Sequence, residues 1–156
     1  MRLISFLIVL MLGLHQAMAG SLDRPGWIVH KTSHSYSDLN KNLGESIKAE
    51  GMRQVTQASA SIGAKNRGLT IKGNRVAGVY RNDFAVRMLE ASVAAGIEAP
   101  IRFYITENDD GTGTLSYKTP TTVFTPYFDE GGDDLKALAA ELDELFAKIA
   151  SGAIAE

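Results

Sequence analysis

The chain has 156 residues, with 16 basic and 18 acidic side chains, a formal net charge of −2 and no cysteine. Without cysteine it cannot use thiol catalysis, a thiolate zinc site or an iron–sulfur cluster. Its slightly acidic balance argues against a nucleic-acid partner, which needs a basic face, and against tight electrostatic binding to anionic lipid.

The first nineteen residues have the three parts of a secretory signal peptide. Arg2 gives a short positive start, the run from Leu3 to Leu14 is almost wholly apolar, and Ala17 and Ala19 are the small residues that a signal peptidase reads. A helix over that run is about 18 Å long, too short for a hydrocarbon core of about 30 Å. We therefore expect cleavage after Ala19, a periplasmic mature protein and no membrane span in it. An uncleaved membrane anchor is the alternative.

The mature chain is long enough for one domain that buries a core without metal or disulfide. It loses one basic residue with the leader and no acidic one, so its formal charge becomes −3. We expect a short leader at 20–26, a single domain at 27–150 and a C-terminal tail at 151–156.

A strand is predicted over 27–36 and an amphipathic helix over 37–50. Ser37 is a suitable N-cap, because its hydroxyl can accept from the free amides of the first turn, and Gly51 ends the helix. Three apolar side chains recur there at the four-residue spacing of one helix face: Leu39, Leu43 and Ile47.

The middle of the chain gives weaker signals. A strand of small residues is predicted over 53–61, a glycine-containing loop over 63–74 and a short strand over 76–80. A second helix begins at Asn82-Asp83 and closes at Gly96, because the proline that soon follows cannot continue it.

Two strands, 101–108 and 112–119, alternate apolar and polar residues on either side of Asp109-Asp110-Gly111, which predicts a hairpin. A three-residue loop with Gly111 in the left-handed conformation sets Ile105 against Leu115, and likewise Phe103 against Tyr117. A two-residue loop would scatter these apolar side chains over both faces of the sheet. We therefore predict the three-residue loop.

The stretch 120–134 is predicted as a connection with a short extended piece at 122–125. The last helix begins at Asp133-Asp134, where acidic side chains suit the positive end of the helix dipole. Unequal helix spacing and hairpins favour an α+β fold, with a mostly antiparallel sheet and helices packed on one face.

The stretches 78–92 and 96–105 resemble the bacterial and archaeal domain of unknown function 302 (DUF302). The resemblance extends over about residues 28–120 and includes Lys31-Thr32-Ser33 before a helix, the strand start Pro100-Ile101-Arg102, and Ser116-Tyr117. Many members carry Gly-Asn-Pro where this chain has Arg81-Asn82-Asp83. The resemblance implies a compact α+β domain with a curved antiparallel sheet that forms a homodimer. It implies no established activity and no catalytic residues.

Two histidines and two acidic runs have structural explanations. His30 and His34 would lie about 13 Å apart on a strand, too far to share one metal ion, so no metal site is predicted. The runs at 108–111 and 129–134 lack the ligand spacing of a calcium loop and indicate a turn and a helix start. No nucleophile motif is present, and we predict no catalytic residue and no cofactor.

The run Gly63 to Gly68 is similar to a phosphate-binding loop, but the Lys-Ser or Lys-Thr that completes such a loop is missing. Together with Lys65 and Arg67, Lys72 and Arg75 make this a basic segment. A solvated loop is the simpler interpretation, and an anion contact is the alternative.

The hairpin register also predicts a polar face on the sheet. Arg102 and Lys118 face each other on it, with Tyr104 one position further along. Like charges opposed across strands are unfavourable unless something neutralises them. One interpretation is that both cations reach into solvent or pair with Glu98 or Glu107. The alternative is that this face binds an anionic ligand or a partner subunit.

The sequence therefore predicts an exported, soluble and non-catalytic domain, a homodimer that binds a small anionic ligand or an envelope protein through Arg102, Tyr104 and Lys118. One alternative is a periplasmic enzyme or cofactor-dependent accessory factor, with a site built from Tyr, Arg and carboxylate groups. A pocket holding two strongly perturbed titratable groups would favour it. Another is a structural accessory of an envelope complex, which an extended apolar patch would favour.

Overall fold

The computed structural model of the protein describes residues 22–156, so the predicted signal peptide lies outside the described residues. Five strands form one sheet in the order β1-β5-β4-β3-β2, and every neighbouring pair is antiparallel. The strands are β1 (Trp27–Ser35), β2 (Arg53–Ala58), β3 (Asn74–Tyr80), β4 (Ile101–Glu107) and β5 (Thr112–Lys118). The predicted α+β class and antiparallel sheet are confirmed.

Five α-helices accompany the sheet: α1 (Tyr36–Ala49), α2 (Ala60–Lys65), α3 (Asn82–Ala91), α4 (Pro120–Phe124) and α5 (Phe128–Ile154). α5 is central, because α1, α3 and α4 all pack against it. Apolar residues of the central strands alternate toward these helices and form one core with them. Its centre is aromatic. The rings of Phe103 and Phe146 stack with their centres 4.6 Å apart, and the rings of Tyr117 and Phe103 meet edge to face with their centres 5.1 Å apart.

The predicted hairpin register is confirmed. Phe103 pairs with Tyr117 and Ile105 with Leu115. The turn closes with the Asn108 amide donating to the Thr112 carbonyl at 2.8 Å, and Gly111 adopts a φ of 82°, a conformation that glycine tolerates without strain. The apolar side chains of both strands therefore lie on the core side.

Two N-terminal boundaries differ from the sequence expectation. α1 begins at Tyr36, because the hydroxyl of Ser35 rather than Ser37 accepts from the Asp38 amide, at 3.1 Å. β2 ends at Ala58, and Ser59 caps the short helix α2, which replaces the end of the predicted strand and the start of the predicted loop. No residue of α2 is buried, which explains why no apolar pattern announces it.

The C-terminal part contains more helix than predicted. α3 stops at Ala91 and a 3₁₀ turn occupies 94–98, while α4 replaces the predicted connection and extended piece. α5 starts at Phe128, breaks at Gly132, where φ is 56° and ψ is −147°, and continues to Ile154. Within the described range, no helix combines the length and apolar composition needed to cross a membrane.

Candidate functional site

The face of the sheet away from the helices carries a row of side chains that crosses four strands. Tyr104 on β4 pairs with Ser116 on β5 and with Val76 on β3, and Val29 on β1 pairs with Ser116 from the other side. Ser116 is completely buried, although its side chain points away from the core. The larger side chains of its neighbours therefore cover this serine, whose hydroxyl donates to the Tyr104 carbonyl at 3.4 Å.

The two predicted cations lie at one end of this row. Phe103 pairs with Tyr117, so the next position in the same register places Arg102 opposite Lys118. On its other side, Lys118 pairs with Trp27 of β1. The ammonium of Lys118 lies 5.9 Å from the centre of the Trp27 ring, within cation–π range. The structure therefore brings the three predicted binding residues to one place and adds Trp27 to them.

These side chains surround a hollow of about 460 Å³. Its apolar walls and its two cations come from four strands, and the main contributors are Trp27, Val76, Ile101, Arg102, Tyr104 and Lys118. Most ligand sites combine apolar walls with a few polar groups in this way. We call this surface the open-face hollow. Trp27 and Tyr104 also line a wider and more polar depression toward the hairpin.

The carboxylates that could have neutralised Arg102 and Lys118 have other hydrogen-bond partners. Glu98 accepts from the Tyr127 hydroxyl at 2.8 Å, and Glu107 accepts from the Gly73 amide at 2.6 Å. Among residues 22–156, neither Arg102 nor Lys118 forms an ion pair. Two cations without a direct ion pair therefore face the open-face hollow, which Glu98 also lines.

Two tyrosines near the hollow have shifted pKa values. The hydrogen bond to Glu98 raises the pKa of Tyr127, because the neighbouring carboxylate favours the protonated phenol. Burial raises the pKa of Tyr117, which lines the hollow and packs into the core. Both phenols are protonated at neutral pH and suit hydrogen-bond donation rather than proton abstraction.

The other sequence candidates lie away from this site. His30 and His34 are both on β1, and Nε2 of His34 lies 3.0 Å from the Ala155 carbonyl oxygen. In the part of the chain that the structure describes, no three His, Asp or Glu side chains cluster as metal ligands would. Asp110 stabilises the hairpin turn, because its carboxylate accepts hydrogen bonds from the hydroxyl and the amide of Thr112. These bonds lower the pKa of Asp110.

The sequence did not reveal where three residues lie on the sheet. Trp27 and Val29 reach the open face only through the pairing of β1 with β5, which no local pattern indicates. Arg75 was assigned to a basic loop, but it lies on β3 and is half-buried. Its alternation with the core residues Ala77 and Val79 was the signal that could have placed it on the helix side of the sheet.

Comparison with known proteins agrees with this fold. The family described as "Domain of unknown function DUF302" matches residues 28–152. The crystal structure of an uncharacterized conserved DUF302 protein from Bacillus stearothermophilus superposes with a TM-score of 0.73 and 21% identity, over 83% of this chain and 99% of that one. No curated protein is similar enough to count as a relative. The chain belongs to the DUF302 family.

Proposed function

We propose that this protein is an exported, non-catalytic binding module that acts as a homodimer and holds a small anionic ligand with an apolar body in the open-face hollow. The observation that carries the proposal is the placement of two cations without an ion pair, Arg102 and Lys118, beside apolar walls. Like charges placed opposite each other across strands repel, and a bound anion would relieve that repulsion. The walls formed by Trp27 and Val76 suit an apolar body on the same ligand.

The ligand chemistry is tested with 1-anilinonaphthalene-8-sulfonate, an anion with an apolar aromatic body, whose fluorescence rises when it is bound. We expect the double variant Arg102→Gln/Lys118→Gln to weaken its binding by about tenfold or more, because each charged hydrogen bond is worth about one such factor. Lys148→Gln, at an exposed position of α5, is the matched control and should bind as the unmodified protein does. If binding and dimerisation are both unchanged in the double variant, the proposal is wrong.

Export and dimerisation are tested together by native mass spectrometry of the protein purified from the periplasm. We expect a mass that corresponds to cleavage after Ala19 and a dimer that retains a small molecule. A monomer of full mass would contradict both the export and the dimer proposals.

An exposed apolar stripe on α3 and the 3₁₀ turn supports the dimer proposal. Val93 is 75% exposed and Ile97 is 79% exposed, and Val86 and Leu89 continue the same stripe along α3. Four large apolar side chains in a row are more than an isolated surface residue, and such patches mark interfaces. We assign this stripe, residues 86–97, to the contact with the second copy.

The stripe is tested by replacing Val93 and Ile97 with aspartate. We expect native mass spectra of this variant to show the monomer, because four buried carboxylates would then face each other across a two-fold contact. Val55→Asp is the control, because Val55 is 48% exposed but lies on β2, away from the stripe. A dimer that persists in the double variant would show that the contact is elsewhere.

One observation favours the enzyme alternative. Glu98 lines the same hollow as Arg102 and accepts from Tyr127, so a tyrosine, a carboxylate and an arginine surround one space. The two possibilities are separated by incubating the ligand released from the purified protein with fresh protein. A binding module returns the ligand with its mass unchanged, whereas an enzyme converts it, and Glu98→Gln should then abolish the conversion.

A further inference from the structure

A second guanidinium without an ion pair lies on the opposite side of the sheet. Arg75 on β3 pairs with Ile105, so its side chain lies on the helix side, next to α1. Its guanidinium donates only to amide oxygens: Nη1 to Oδ1 of Asn40 at 3.3 Å, and Nη2 to Oε1 of Gln54 at 3.1 Å and of Gln57 at 2.9 Å. Three elements, α1, β2 and β3, thus converge on one cation.

The positive charge of Arg75 has no counter-ion among the described residues. Its amide partners satisfy the geometry of three N–H groups but carry no negative charge. Its Nε–H is buried and finds no acceptor in residues 22–156. A buried donor without an acceptor calls for a specific explanation, such as a bound ion. Nη2 uses both of its hydrogens on Gln54 and Gln57, so the Nε–H and one Nη1–H remain as donors for an oxyanion.

The guanidinium opens onto a groove of about 580 Å³ between α1 and the β2–α2 segment. Hydroxyl and amide groups dominate its lining: Tyr36, Ser37, Asn40, Gln57, Ser59 and Ser61. Arg75 is the one charged group among the lining residues, so the groove suits an anion with a single charge rather than a phosphate dianion. The hydroxyls and amides suit a ligand that carries hydroxyl groups of its own.

We propose that this groove binds the carboxylate of a small polyhydroxylated acid, with the Arg75 guanidinium as its charged anchor. The two sites share Ala58 at their border, but their cations lie on opposite faces of the sheet, so this proposal does not depend on the open-face hollow. The competing explanation is structural: Arg75 ties α1 to β2 and β3 through Asn40, Gln54 and Gln57, and binds nothing. The two explanations predict different results for the same variants.

The probe is sodium gluconate, added at constant ionic strength to the purified full-length protein. Sorbitol, its uncharged analogue, and sodium chloride are the matched controls. The side-chain Nε–H resonance of Arg75 in ¹H–¹⁵N spectra reports directly on the orphaned donor. We expect gluconate to shift this resonance saturably, and sorbitol and chloride to leave it in place.

Gln57→Glu separates ligand binding from a structural role. It places a carboxylate where the side-chain amide of Gln57 now lies, with an oxygen 2.9 Å from Nη2 of Arg75, and it keeps the size of the side chain. The internal counter-ion should compete with gluconate and weaken its binding by about tenfold or more. Arg75→Gln should abolish the binding, while Arg102→Gln, on the other face of the sheet, should leave it unchanged.

Three results would overturn the proposal. One is an Arg75 resonance that gluconate does not move. Another is a Gln57→Glu protein that binds gluconate as tightly as the unmodified protein. This test remains valid even if the Arg75→Gln variant fails to fold. The third is an equal shift with sulfate at the same ionic strength, which would mean that the groove has no preference for a hydroxylated carboxylate.

Discussion

Arg87 of α3 and Glu141 of α5 form a two-point ion pair, with Nη1–Oε2 at 2.8 Å and Nη2–Oε1 at 2.6 Å. The parallel hydrogen bonds join the two helices across their exposed edge, and the residues are 54 positions apart in the chain. The guanidinium lowers the pKa of Glu141, mainly through its hydrogen bonds.

This pair predicts a pH dependence. A carboxyl group whose pKa is lower in the folded state stabilises the fold above its unfolded pKa of about 4.3, and that contribution is lost as the pH falls through the lower folded value. We expect Glu141→Gln to lower the melting temperature at pH 7 but not at pH 2.5. The effect at pH 7 should be small, because both side chains of the pair face solvent. Glu144→Gln, at an exposed position of the same helix, is the control. Equal effects of Glu141→Gln at both pH values would contradict the prediction.

The aromatic centre of the core predicts a large loss of stability. Phe146 is completely buried and stacks on Phe103, so Phe146→Ala removes a ring that nothing nearby can replace. We expect the free energy of unfolding in urea to fall by about 3–5 kcal/mol. Leu69→Ala, at an exposed position between α2 and β3, should change it by less than about 0.5 kcal/mol. Similar losses in the two variants would mean that the core is not centred on these rings.

Two glycines in helices predict opposite effects. Gly44 lies inside α1 with open space where a Cβ would project, so Gly44→Ala should stabilise the protein by about 0.5–1 kcal/mol. Gly132 breaks α5 with a φ of 56° and a ψ of −147°, a conformation that is accessible almost only to glycine. Gly132→Ala should therefore cost about 1–3 kcal/mol. Chemical denaturation measures both, and a stabilising Gly132→Ala would show that the break is not required.

Tyr117 predicts a loss of stability at alkaline pH. Because burial raises its pKa in the folded state, the stabilisation is complete below the unfolded pKa of about 10 and is lost as the pH rises through the folded value. We expect the melting temperature to fall more steeply between pH 9 and pH 11 than it does for Tyr117→Phe. Tyr80→Phe, at a half-buried position on β3, is the control and should follow the unmodified protein. Parallel curves for the Tyr117→Phe and unmodified proteins would contradict this.

The hairpin was predictable from sequence because strict alternation allows only one register that keeps Phe103 and Ile105 on the core side. The helix α4 was not predictable in the same way. β-branched residues such as Thr122 are weak helix formers, and the stretch becomes helical because Thr119 caps it, Pro120 suits its first turn and Phe124 is buried against α5. Tertiary packing overrides local preference there.

The residues of the candidate site also differ in how far the sequence predicted their positions. Arg102, Tyr104 and Lys118 follow from alternation within one hairpin, so their common face was visible in the sequence. Trp27 joins them through a pairing between strands that are far apart in the chain, which single-sequence reasoning cannot reach. Arg75 was hidden for another reason, because a basic composition over 65–75 drew attention to a loop and away from its strand position.

The pairing of β1 with β5 also decides when the sheet can be completed. Trp27 meets Lys118, and every other strand lies between them in the chain. During synthesis, β1 therefore has no sheet neighbour until residue 118 has left the ribosome, a delay on the order of ten seconds at typical elongation rates. For a chain that is exported, as we propose, β1 therefore stays unpaired while the leader is being recognised.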